Sequence, residues 1–502
     1  MQELIKSTCN EQLVTCHHTA RGSYRCDVAI VGGGISGCSL AWVLTRFTDI
    51  NSVIVLERHH NVGRVCSHAT SNSQTMHRGD IETNYDLHKA RRANSQAELL
   101  RRFTVNVLDE TERDSCIFRM SKLCLGIGED EQELLRRRYE SFKEEFPSMQ
   151  FTEDKEISRL EPAVVLEDLQ GSKFREEPLA ALFSENEYAA VDYGELTQSF
   201  VRHSRRDALI RGKKIEFITS TKVGSTMVSD NGDIIIRCSM NHVEVRARFC
   251  IVSAGGYSLL LAHILGLAKH LSLLPIAGSF FFAGSSGAYR RLLNGKVYAV
   301  QDPALPFAAP HADPDIARLG HPTRFGPTAA FHPMMERYLV ESLPDALKTM
   351  QLTDPATLAA IADILADRPH LIGYALAQMT YEVPLLGEQQ YAINEAGRLV
   401  PAIARGTIRL TPAYGLGGVR PQLLDTERKV LLMGAGKIVD PGMPSMIFNI
   451  TPSPGATVCL ASALSDALRV CAHLGAEFDH EGAMATLAVD LSDPCIAELV
   501  LA

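Results

Sequence analysis

An apolar run, Val28 to Val31, breaks at three glycines, and the pattern then resumes with a different period. From about Ile35 to Phe47 the apolar residues recur at helical spacing, and a second short run, Ser52 to Leu56, ends at the acid Glu57. Strand, glycine turn, helix, strand and terminal acid, all within "CDVAIVGGGISGCSLAWVLTRFTDINSVIVLERH", are the order in which GxGxxG acquires meaning. Gly32 permits the tight turn, Gly34 lets backbone approach a pyrophosphate, and Gly37 lets the helix pack close to the strand. The phosphates then sit at the helix N-terminus, against Ile35 and Ser36, where unsatisfied N–H groups favour an anion. Glu57 stands where a carboxylate accepts a ribose 2'-hydroxyl and repels a 2'-phosphate, with Arg58 beside it.

The pattern beyond is less regular. "HATSNSQTMHRGDIETNY", His68 to Tyr85, is polar and has neither helical nor strand period. Charged helical sequence follows from Asp86 to about Glu145, reading as a solvated surface. "VDYGELTQSFVRHSRRDALIRGK" reads as a helix from Val191, and alternating segments with turns at Asp230-Asn231 and Met240-Asn241 predict a small antiparallel sheet. That sheet ends in a strand, Phe249 to Ser253, and a second small-residue turn, Ala254-Gly255-Gly256. Residues from about Leu274 to Val400 are rich in proline and aromatics, hold His311, His321 and Arg324, and include a helical block from Ser342 to Met379. The last portion offers "GTIRLTPAYGLGGVRPQLLD", a strand in "KVLLMGAGKIVDPG", and a final helix entered through Ser453-Pro454-Gly455.

The fold expected is α/β: a Rossmann-like nucleotide-binding domain assembled from discontinuous segments, with an inserted α+β substrate domain built on a mixed or antiparallel sheet. Its expected divisions are an N-terminal extension over 1–24, a first nucleotide-binding part over 25–95 and a largely helical cap or substrate region over 96–190. A second nucleotide-binding part follows over 191–273, then the substrate domain over 274–400, a third part over 401–480 and a C-terminal tail over 481–502.

At 502 residues two or three domains are expected. Apolar residues at 46% and charged residues at 22% are the balance of a folded soluble protein, and no run approaches the ~20 apolar residues of a membrane span. A formal charge of -9 argues against nucleic acid as a partner, while a few arginines in a pocket can still attract a small anion. The 12 cysteines contain no CxxC and no metal-ligand spacing, so reduced, mostly buried thiols in an intracellular compartment are expected. The first residues carry no signal-peptide apolar core.

Several stretches together, "SNSQTMHRGDIETNY" (Ser71 to Tyr85), "VDYGELT", "VSAGGYS", "KVYAVQDPALPFAAPHAD", "RFGPTA" and "TPSPGAT", resemble the malate:quinone oxidoreductases, within the wider group of FAD-dependent 2-hydroxyacid dehydrogenases. The resemblance runs from Cys26 to about Gly475 and departs from the family's commonest form in the Ser71 to Asp86 stretch. It implies FAD, bound tightly and without a covalent link, in preference to NAD. Ser71, Ser73, Gln74, Thr75 and His77 then meet the ring or ribityl chain, and His68 lies behind them. Ala254 and Gly255 lie toward the adenine and pyrophosphate, and Pro454, Gly455 and Ala456 at the pyrimidine edge, with Val223 and Gly436 as further cofactor contacts.

The implied chemistry is oxidation of (S)-malate, or a similar small 2-hydroxy acid, by hydride transfer to FAD while a base takes the hydroxyl proton. Histidine suits the base, and the candidates in order are His311, His77 and His321. Arginine suits two carboxylates, with Arg324 and Arg420 as candidates and Tyr298 and Tyr414 as weaker pocket residues. A membrane quinone is the implied acceptor, with peripheral contact on the cytoplasmic side of the inner membrane (the mitochondrial membrane if eukaryotic). Two alternatives stand beside this: an L-2-hydroxyglutarate dehydrogenase or oxidase of the same superfamily, and a flavin-binding protein without turnover.

Overall fold

A computed structural model describes residues 22–488, apart from 154, 169–170, 172, 240–241, 286–287, 302–309, 413–415, 433, 435 and 452–454. Pro454, Tyr414 and the Met240-Asn241 turn, all singled out in the sequence, lie outside the described residues, as do most of both terminal segments.

One sheet carries the nucleotide-binding unit. Its strands β1 (Gly22–Val31), β2 (Ser52–Leu56), β3 (Lys214–Ile218), β4 (Val243–Val252) and β5 (Met446–Ile450) run parallel in the order β5-β4-β1-β2-β3. Three separated stretches of chain therefore build one sheet, as expected. Burial on both faces explains why β1, β2 and the end of β4 read as unbroken apolar runs. On one face, α1 (Ile35–Phe47) packs between α2 (Tyr193–Arg211) and α3 (Cys459–Leu474). Trp42 of α1 is fully buried there, edge-on to Phe103 at 4.7 Å, with its indole N–H donating to Asp207 Oδ2 at 3.2 Å. The opposite face is covered by the antiparallel strands Val223–Val228 and Ile234–Cys238, joined through the predicted Asp230-Asn231 turn, and by the helix Tyr257–Ile264.

A second, nine-stranded mixed sheet stands against the first unit, and a four-stranded antiparallel sheet links them through the strands Leu271–Gly278 and Gly418–Asp425. The 96–190 stretch carries helices, among them Glu110–Cys116 and Glu129–Phe142, and also strands that the sequence did not show. It supplies Ile117–Ile127 and Leu179–Val191, the longest strand pair of the nine-stranded sheet. Charged side chains on these strands, Arg119, Lys122, Glu185 and Glu187, broke the alternation that would have marked them. The "KVLLMGAGKIVDPG" run likewise divides, Val430–Leu431 pairing with one sheet and Gly436–Ile438 with β5. The helical block appears as Leu343–Met350, Pro355–Asp367 and His370–Tyr381.

One buried acid ties this region together and has a measurable consequence. Glu161 accepts the backbone N–H groups of Asn294 and Gly295 at 2.9 and 2.6 Å. Burial nonetheless pushes its carboxyl up from 4.5 to about 7. Between those values the folded state keeps a proton that the unfolded chain has lost, so this group's contribution to stability falls as pH rises from about 4.5 to about 7. Glu161→Gln cannot ionise and flattens that part of the profile. Thermal unfolding at pH 5 and pH 7.5 measures it, and the variant loses less Tm than wild type between the two.

Candidate active site

The turn between β1 and α1 is built by close approach. Gly32 has φ +113°, and a Cβ there would stand 2.4 Å from the Ser253 carbonyl oxygen. A Cβ on Gly37 would meet the Gly32 carbonyl oxygen at 2.0 Å, so α1 can descend this close to β1 only over glycine. Gly34 caps α1 without a side-chain hydrogen bond, and the Ile35 N–H donates to Ser67 Oγ at 2.9 Å. First-turn N–H groups have no carbonyl one turn back to accept them, and the helix dipole adds positive potential. Glu57 closes β2 beside this turn, accepting Gly33 N–H at 2.7 Å and His59 N–H at 2.8 Å. Burial raises its carboxyl above the usual range, and those two donors pull against the rise. Arg58 reaches Glu336 at 2.9 Å and lies over the Tyr257 ring.

A cavity of about 600 Å³ runs from this turn to the four-stranded sheet, where Ile276 and Arg420 line it. Of the residues expected to hold the cofactor, Gly32, Gly34, Ile35, Ser36, Glu57, Arg58, Ser71, Ser73, Thr75, His77, Val223, Ala254, Gly255, Gly455 and Ala456 line it. Gly37 does not line it and acts from beneath, as the contact under α1. Gln74 is also displaced: with φ 50° it turns into the protein, donating to Asp315 Oδ1 at 2.8 Å and accepting the Ile316 N–H at 3.0 Å. Gly436 sits between Leu423 and Ile450, away from the cavity wall. α3 begins only at Cys459, so Gly455 and Ala456 line the cavity from the turn before the helix rather than from its first turn.

The polar stretch from His68 is a liner pinned at both edges. Met76 N–H donates to Ala189 O and Val191 N–H to Gln74 O, which bonds it to the strand Leu179–Val191. On the other side Gly417 N–H donates to Thr70 O, and Gly418 lies so close that a Cβ would stand 2.2 Å from Ser71 O. A segment bonded to both neighbours through its backbone needs no apolar period of its own.

His77 lines the cavity, and its Nδ1 meets Glu82 Oε1 at 3.0 Å. Glu82 is held in turn by Gly79 N–H at 2.8 Å. With Nδ1 donating to a carboxylate, Nε2 is the nitrogen free to accept a proton. The His77 backbone N–H donates to Thr457 Oγ1, which also meets the Tyr193 hydroxyl at 2.9 Å. Arg420 lines the same cavity from the strand Gly418–Asp425, and burial pushes its guanidinium down to about 10.

His311 and Arg324 do not line the cavity; they belong to a buried ionic cluster behind it. Asp313 meets His311 Nδ1 at 2.5 Å, Lys296 Nζ at 3.0 Å and Arg324 Nη2 at 3.2 Å. Burial alone would raise Asp313; Lys296 and then Arg324 overcome it and hold the carboxyl well below the usual range. Burial lowers His311, with Asp313 pulling the other way. Arg324 is fully buried and lies over Phe280, so it serves Asp313 rather than the open cavity. Tyr298 connects the layers, its ring 4.8 Å from His311 and its hydroxyl 2.7 Å from Thr75 Oγ1. His321 lies at the turn between the strands His311–Pro314 and Thr323–Gly326, at the opposite end of that pair from His311 and against Phe118. A left-handed turn residue there is a bend, not a cavity group.

Sequence reading missed Glu82, Asp313, Tyr193 and Thr457. Glu82 stands five residues after His77 in the stretch already singled out. Asp313 stands two after His311, the spacing that puts both on one face of a strand.

The cavity fits FAD on this chain's own residues: a cradle that any Cβ would fill, anion-favouring amides, and an acid placed for a ribose hydroxyl. Gly37→Ala is expected to lower FAD retention at least a hundredfold, measured by flavin absorbance per protein after gel filtration, because α1 must move off β1.

Solved structures share this architecture. L-α-glycerophosphate oxidase from Mycoplasma pneumoniae, with FAD bound, aligns with TM-score 0.56 at 20% identity, covering 89% of this chain and 94% of that one. Glycine oxidase from Geobacillus kaustophilus aligns with TM-score 0.57 at 17% identity, covering 89% and 95%. At those identities the likeness establishes the fold alone. Sequence relatives are nearer. A probable malate:quinone oxidoreductase of Campylobacter jejuni is 36% identical over 91% of this chain and 97% of its own length. The malate:quinone oxidoreductase of Helicobacter pylori (strain ATCC 700392 / 26695) is 34% identical over 91% and 96%. With the family model matching residues 24–472, from within β1 to within α3, the chain belongs to the malate:quinone oxidoreductase family.

Proposed function

We infer that this chain oxidises malate to oxaloacetate and passes the electron pair to a quinone, with FAD as its cofactor. The observation that carries the reading is one cavity lined by the glycine turn, by His77 with Glu82 behind it, and by Arg420. FAD, when bound, supplies the two-electron chemistry that accepts hydride from C2 of malate. Arg420 binds and orients a carboxylate, for which a planar guanidinium is the suited partner. His77 takes the hydroxyl proton on Nε2, and Glu82 stabilises the imidazolium that results. The Lys296, Arg324 and Asp313 cluster holds two cations against one carboxylate, leaving positive potential behind Thr75 that favours a dianion.

The geometry favours a different order of bases from the sequence, with His77 ahead of His311 because His77 lines the cavity. His311 remains a second reading, since Asp313 orients its imidazole in the same manner. Peripheral contact with a quinone-bearing membrane follows from the acceptor's chemistry, and no helix among the described residues is long and apolar enough to cross a membrane. Steady-state assays of the FAD-loaded protein with a soluble quinone test substrate and acceptor together. Malate is expected to exceed L-2-hydroxyglutarate in kcat/KM by at least tenfold; equal or inverted preference would overturn the substrate assignment.

A further inference from the structure

A second cavity, of about 360 Å³, adjoins the first, and Phe280 stands in the wall of both. The two are also tied by a hydrogen bond from Thr328 Oγ1, on the first cavity, to Glu382 Oε1, on the second, at 2.6 Å. Much of the second cavity's wall is apolar, yet it contains unspent polar atoms. Arg337, its side chain only 8% exposed, donates through Nη2 to Ser279 Oγ and Glu382 Oε2. Its Nε and Nη1, and Nε2 of His332, are buried without a partner among the described residues. A buried donor left unmade costs about 1–3 kcal/mol, so the two Arg337 N–H groups call for a ligand that accepts hydrogen bonds, and His332 Nε2 joins them in the tautomer that carries its proton there. Glu382 and the apolar wall disfavour an anion, which separates this site from one for malate.

The surface leading to it is equally specific. Ile372, Leu376 and Met379 recur at spacings of four and three on one face of the helix His370–Tyr381, and Val383 follows in the turn beyond it. All four are exposed, at 48%, 62%, 51% and 47%, and the last two line the cavity. From Ile372 to Met379 the stripe extends about 11 Å at helical rise. It is an apolar track on the outside that ends at donors on the inside.

We propose that the second cavity binds the ring of an isoprenoid quinone, its carbonyl oxygens accepting from Arg337 and His332 and its tail leaving along the Ile372–Val383 stripe. This rests on the quinone reading above and locates the acceptor. Malate gives up two electrons and two protons in becoming oxaloacetate, and the quinone takes up both, its carbonyls becoming hydroxyls. Phe280, in the wall of both cavities, then stands between the cofactor's cavity and the acceptor's.

Photolabelling of the FAD-loaded protein with an azidobenzoquinone bearing a decyl tail tests the location without turnover. Label is expected in peptides covering 331–340 and 376–388; label confined to peptides of the first cavity, such as 253–261, would overturn the proposal. Met379→Trp, which fills the mouth, and Arg337→Leu are each expected to raise KM for decylquinone at least tenfold. The extent of flavin bleaching by malate stays within twofold, and an unchanged quinone KM in Met379→Trp would overturn the site. Leu376→Glu is expected to raise KM for the decyl quinone but not for a tail-less benzoquinone. If it weakens vesicle binding alone and leaves both values unchanged, the stripe is a lipid contact and the tail path is wrong. Wild-type flavin that malate does not bleach sinks the functional reading, whereas bleaching with label elsewhere sinks only this site.

Discussion

Arg420→Leu lowers kcat/KM for malate by about a hundredfold to several thousandfold, because removing one partner of a buried charge pair costs about 3–5 kcal/mol. The loss falls mainly on KM, since the carboxylate is bound in the ground state as well as in the transition state. The strand carrying Arg420 pairs with Leu271–Gly278 and is pressed against the polar liner at Ser71, so the substitution removes a head group without releasing its backbone. Burial lowers this guanidinium to about 10. Malate's carboxylate stabilises the charged form, and KM accordingly rises as pH climbs past about 10 in the free enzyme. Arg420→Lys keeps the charge but not the fork, and recovers only part of the loss.

His77→Gln lowers kcat by about 10²–10⁴, the range for removing a positioned general base, with KM for malate changed little. FAD retention is expected to hold, because the contact of His77 with Thr457 is made by its backbone N–H and survives the substitution. Glu82→Gln acts through His77 and weakens the imidazolium. Its decrease in kcat is expected to be no larger than that of His77→Gln, with KM for malate changed little. His311→Gln discriminates the two readings of the base: a loss there equal to the one expected for His77, with His77→Gln near wild type, would transfer the role.

What was legible in the sequence was local. α1 and β2 were read to the residue, and β1 to its end although it begins six residues earlier at Gly22, because apolar period, glycine spacing and terminal acid all lie within one short segment. The strand Ile117–Ile127 was not, since its partners lie far along the chain and its charged residues pair outside the strand: Lys122 is neutralised by Asp80 at 2.6 Å and Glu187 at 3.2 Å. Arg324 shows the same limit. Nothing in its neighbourhood of sequence says that its guanidinium is held through Nε and Nη2 by Asp313 across a strand pair, and a cation held in that way reads in sequence like any other arginine. His77 and Arg420 were each nameable, but their meeting at one cavity depends on Gly418 docking against Ser71.

An anaerobic absorbance titration of the FAD-loaded protein, first with L-malate and then with a soluble quinone, follows electron donor and acceptor in one experiment. The flavin absorbance is expected to bleach with malate and to return on adding quinone. A flavin spectrum that malate leaves unchanged would rule out malate as the donor, and one that bleaches and is not restored by quinone would rule out quinone as the acceptor.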